Sequence, residues 1–81
     1  MIHTRLDLSP GQAVVVTLDK QAPVMLTDDT NFSRKKRGER YTYYGGLCKR
    51  SPAQVAPPNA GNWNLTIECP VRFKYSITVV G

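Results

Sequence analysis

Residues 63–80 read WNLTIECPVRFKYSITVV. Trp63, Leu65, Ile67 and Cys69 fall on one parity, and Asn64, Thr66 and Glu68 on the other. Pro70, with no N–H to give a ladder, interrupts the run. Val71, Phe73, Tyr75, Ile77 and Val79 then alternate with Arg72, Lys74, Ser76 and Thr78. A period of two marks a strand buried on one face, because successive side chains leave opposite sides of the pleat. The stretch is expected to form two strands joined as a hairpin, with Trp63 as a core anchor and Cys69 as a small buried hydrophobe.

The same reading extends toward the N-terminus. Ile2, Leu6 and Leu8 share a parity, with His3, Arg5 and Asp7 on the other, before Ser9-Pro10-Gly11 turns the chain. Residues 13–19 are β-branched and apolar, and Lys20-Gln21 connects them to a third strand over 23–27. In the middle, 40–44 is aromatic enough for a strand ending at Gly45-Gly46, and 47–50 for another closed by Ser51-Pro52. Pro57-Pro58-Asn59-Ala60-Gly61 marks a further turn. No window shows helical periodicity of useful length. About seven short strands with regular turn signals point to an all-β fold, a single small antiparallel β-sandwich of jelly-roll-like type. Without repeats or low-complexity tracts, residues 1–81 are read as one binding domain.

Length and composition narrow the function. Eighty-one residues, 41% of them hydrophobic, suffice for one thin core. The longest apolar run, 13–16, falls far short of the roughly 20 residues of a membrane helix. Arg5 and Asp7 interrupt the place where a secretory leader would be apolar, so a cytoplasmic protein is expected. Cys48 and Cys69 are then two free thiols. With His3 the only histidine, they give no zinc spacing, and neither a metal nor another cofactor is expected. No nucleophile elbow, phosphate loop or dinucleotide fingerprint occurs. Asp28 and Asp29, read as strand neighbours, face opposite ways and make no acid–base pair. A non-enzyme is expected.

The charge is concentrated. Of eleven basic residues, seven (Arg34, Lys35, Lys36, Arg37, Arg40, Lys49 and Arg50) lie between 34 and 50, opposed only by Glu39. All of the net +5 therefore belongs to one loop and its flanking strands. Phe32, Tyr41, Tyr43 and Tyr44 share that stretch. Cations meet phosphate and rings stack on bases, so the segment suits an anionic, nucleotide-type ligand. In that reading Arg34, Arg37, Arg40 and Arg50 supply charge and Phe32, Tyr43 and Tyr44 supply rings. Asn31 hydrogen-bonds a base or ribose, and Gly45-Gly46 shapes the floor. Two rival ligands use the same face: nucleic acid, and the acidic surface of a protein that the chain inhibits or adapts. A solvated basic face with tyrosines in the core explains the same residues. Open sheet edges also predict a homo-oligomer.

The segment Asp28-Asp29-Thr30-Asn31-Phe32-Ser33, through Gly38, to Tyr43-Tyr44-Gly45-Gly46 and Ser51-Pro52 resembles a small bacterial family, domain of unknown function 1883. The turn glycine Gly11 and the late Pro58, Gly61 and Trp63 fit the same pattern. The resemblance implies a compact β-sandwich to which no enzymatic activity is attached. Some members of that family are fused to TIR domains of bacterial immune proteins, which implies sensing or binding. A stand-alone copy would suit a phage or mobile element that captures an immune signal or blocks a host defence protein. Arg34-Lys35-Lys36-Arg37 departs from the family pattern, in which this stretch often holds an aromatic residue.

Overall fold

A computed structural model describes residues 2–48, 51–69 and 72–81, with the backbone alone at Cys48. Seven strands form: β1 (Ile2–Leu8), β2 (Ala13–Leu18), β3 (Ala22–Thr27), β4 (Tyr44–Cys48), β5 (Ala53–Val55), β6 (Gly61–Ile67) and β7 (Tyr75–Val80); β5 follows Ser51-Pro52, where no strand was expected. They form two antiparallel sheets, β1-β6-β3-β4 and β5-β2-β7. Each connection passes from one sheet to the other, except that from β3 to β4. The all-β sandwich of seven short strands is therefore as expected.

Its core is built from the predicted parities. Leu8, Val14, Val16, Leu18, Val24, Leu26, Val55, Trp63, Leu65 and Ile67 are buried together between the sheets. Trp63 anchors the core and donates its indole N–H to the Asn59 carbonyl at 3.0 Å. Cys69 is a free, half-buried thiol packed against the same cluster.

Three expectations about the path of the chain are corrected. First, residues 63–80 do not form a hairpin: β6 lies between β1 and β3, whereas β7 pairs with β2 in the facing sheet. Both strands bury one face against the shared core, and alternation fixes which face is buried without naming the neighbour. Second, Gly45-Gly46 does not end a strand over 40–44. The strand starts at Tyr44 and runs through both glycines, opposite Met25 and Val24 of β3. Of the second strand expected over 47–50, Leu47 and Cys48 are the end of β4, and Lys49 and Arg50 lie outside the described residues.

Third, residues placed in a loop form helix α1 (Asp29–Lys36). It contacts β3 and β6 on the outer face of the four-stranded sheet. Met25, Thr27, Asn64 and Thr66, which point away from the core, are buried there all the same. At eight residues, α1 is far too short to cross a membrane, and no described helix is long and apolar enough to do so.

Candidate functional site

Local sequence explains why α1 forms. Asp28 caps its start: Oδ1 accepts the Asn31 backbone N–H at 2.8 Å and the Asn31 side-chain amide at 2.9 Å. Asp28 and Asp29 thus open a helix instead of alternating along a strand. An acid in the first turn and Arg34, Lys35 and Lys36 in the last match the helix dipole. The end is a Schellman closure: Gly38 donates to the Lys35 carbonyl and Glu39 to that of Arg34. Gly38 makes it possible with φ at +73°.

Asn31, Phe32 and Lys35 turn toward the sheet, where a polar network holds the helix down. Phe32 stacks on His3, ring centroids 4.1 Å apart, and the Lys36 ammonium lies 5.1 Å from the same ring. Lys35 bonds Glu68 and donates to the Tyr41 hydroxyl at 3.4 Å, which in turn donates to the Met25 sulfur. Burial pulls the Lys35 ammonium down, but its hydrogen bonds to Glu68 and Tyr41 and their charge outweigh this and raise its pKa above the ordinary lysine value. Beneath the first turn, Asn64 donates to Asp29 at 2.9 Å and to the Thr27 carbonyl, while its oxygen meets His3 Nε2 at 2.9 Å.

The other face of α1 is basic and open. Arg34, Lys36, Arg37 and Arg40 are exposed, and Arg37 grips Glu39 through Nε at 2.9 Å and a terminal nitrogen at 3.3 Å. The remaining candidates go elsewhere. Asn31 spends its amide on Asp28 and on the backbone N–H of Thr42, which its oxygen accepts at 2.8 Å. Tyr43 is 46% exposed and tilts against Tyr41; Tyr44, paired with Leu26, is 38% exposed and meets Trp63 edge-on. Gly45 and Gly46 line a cleft of about 170 Å³ between the β4 and β5 edges, with Val24, Leu47 and Val55. Among the described residues no arginine lines that cleft, so Arg34, Arg37 and Arg40 do not converge with the glycines on one hollow as the sequence suggested. Arg50 lies outside the described residues.

Sequence reasoning missed another basic group. Leu18 pairs with Tyr75, which brings the turn after β2 beside the segment leading into β7. Asp19, Lys20, Arg72, Phe73 and Lys74 there surround a hollow of about 520 Å³. Asp19 fixes its shape, donating to the Lys74 carbonyl at 3.2 Å and accepting the Lys74 N–H on Oδ1 at 2.8 Å. No linear signal joins Lys20 to Arg72; only strand pairing does.

These features define a two-sheet antiparallel sandwich carrying one short basic helix on its outer face. The chain belongs to the family described as Domain of unknown function (DUF1883), whose model matches residues 1–80. Comparison with curated proteins and with solved structures gave no match.

Proposed function

We propose that this chain is a non-enzymatic binding module that docks the outward face of α1, with the segment after it, on an acidic surface of a protein partner. The observation that carries this reading is the exposure of Arg34 and Lys36 on α1 and of Arg37 and Arg40 in the segment just after it, with the helix tied to the sheet by its other face. A small ligand is held best in a concavity. An exposed cationic face instead suits an extended anionic surface, where it speeds encounter and selects partners. Because the helix is already anchored, little ordering cost remains on binding.

The exposed ring of Tyr43 gives specific support to a second reading, single-stranded nucleic acid, with arginines on phosphates and the ring on a base. One experiment separates them. The wild-type chain and an Arg34→Glu/Arg37→Glu variant are used for affinity capture from nuclease-treated lysate, and captured proteins are purified and rebound. Docking predicts a defined acidic protein whose association rate falls about tenfold or more with the double reversal and with added salt. Equal association with both variants refutes the reading. Retention that disappears with nuclease and reappears with an oligonucleotide transfers the face to nucleic acid.

A further inference from the structure

We propose a second anion site, on the three-stranded sheet and independent of α1, that takes a small nucleotide-type ligand: a phosphate joined to an aromatic ring. Lys20, Arg72 and Lys74 are exposed around one hollow of about 520 Å³, open to solvent and large enough to seat a small molecule. Among the described residues no carboxylate pairs with any of the three, whereas Lys35 and Arg37 on the helix side both have acid partners. Three cations around a single carboxylate, Asp19, leave a local excess of positive charge, and a bound phosphate would offset it. Arg72 adds the planar fork that grips phosphate in two places.

The one acid at the rim has a structural task. Asp19 directs an oxygen to the Lys74 backbone N–H and so holds the two chain segments that carry the cations at a fixed spacing. Its hydrogen bonds run to the backbone, leaving the Lys74 ammonium available.

A ring platform adjoins the charged hollow. A second concavity of about 250 Å³ shares Asp19 and Lys74 with the first and is lined by Leu18, Tyr75 and Ser76. Phe73 lies in the first hollow and Tyr75 in the second, ring centroids 5.5 Å apart. Tyr75 is 45% exposed although its partner Leu18 is buried, so its ring is available for stacking. A phosphate among the cations and a base on Tyr75 would span the shared rim. This is the chemistry that the central basic segment suggested, assembled at another place by β2–β7 pairing.

The test titrates adenosine monophosphate into the isotope-labelled chain and follows backbone amides by NMR, with inorganic phosphate and adenosine as separate probes. Shifts are expected at Lys20, Arg72, Lys74 and Tyr75. The nucleotide should bind about tenfold more tightly than inorganic phosphate, because base–ring stacking adds to the phosphate contacts. Arg72→Ala/Lys74→Ala keeps the Lys74 N–H, and circular dichroism should confirm its fold. It should weaken binding at least about tenfold, whereas Arg34→Glu/Arg37→Glu should leave it unchanged. Absence of shifts at millimolar nucleotide, shifts confined to α1, or undiminished binding by the folded double variant overturns the site. Equal affinity for nucleotide and inorganic phosphate overturns the ring platform and with it the nucleotide assignment.

Discussion

Gly45 lies inside β4, yet its φ is +113°, a region that side-chain-bearing residues rarely adopt. A Cβ there would run into the carbonyl oxygen of Val24 on the neighbouring strand. Gly46 also has a positive φ, +145°, which would strain any other residue, but a Cβ added to it would meet open space. The two glycines, which look interchangeable as a ligand floor, therefore differ in what they do for the fold. Gly45→Ala is expected to cost about 3 kcal/mol or more, from backbone strain plus a collision with fixed main chain. Gly46→Ala should cost about 1–2 kcal/mol, from strain alone. Urea unfolding of both variants checks this, and equal losses would refute the close approach of β4 to β3.

For α1, the deciding bond is the tie from Lys35 to Glu68. The Lys35 side chain is 13% exposed and that of Glu68 41%, so solvent screens the pair and about 1 kcal/mol is a reasonable worth. Because folding raises the Lys35 pKa, its contribution is complete below the ordinary lysine range. It disappears as pH climbs through the raised value. Lys35→Met should therefore lower stability at neutral pH and lose less than wild type on going to strongly alkaline solution. Superimposable alkaline limbs in thermal unfolding would contradict it. Strands β1, β2, β3, β6 and β7 were readable because period-two alternation is local: Ile2 to Leu8 and Val14 to Leu18 declare their buried faces unaided. By contrast β4, which runs through two glycines, and the three-residue β5 carry no such pattern. The helix escaped because its sheet-facing residues are Asn31, Phe32 and Lys35, with one apolar side chain among them and hence no hydrophobic stripe. Its caps, Asp28 and Gly38, were the available signal. At the proposed docking face the cations could be read directly, but the helix that carries Arg34 and Lys36 could not. The hollow around Lys20 and Arg72 was hidden entirely, because it exists only once β2 has found β7.

Taken whole, the molecule separates its two basic regions, one on the outer face of the four-stranded sheet and one at an end of the three-stranded sheet. What joins them is the strand order. β1, β2 and β3 never pair with one another: β1 waits for β6, β2 for β5 and β7, and β3 for β4 and β6. A peptide of residues 1–43 should consequently show the circular dichroism of an unfolded chain, and cooperative melting of that fragment would contradict the pairing scheme. During synthesis, the finished β3 has no native ladder until β4 emerges, and β1 has none until β6 does. At ordinary ribosomal rates the forty residues from Thr27 to Ile67 take about 2–8 s. For those seconds the nascent chain carries Val14, Val16, Val24 and Leu26 uncovered, so its yield in the cell rests on whatever shields apolar polypeptide at the exit tunnel.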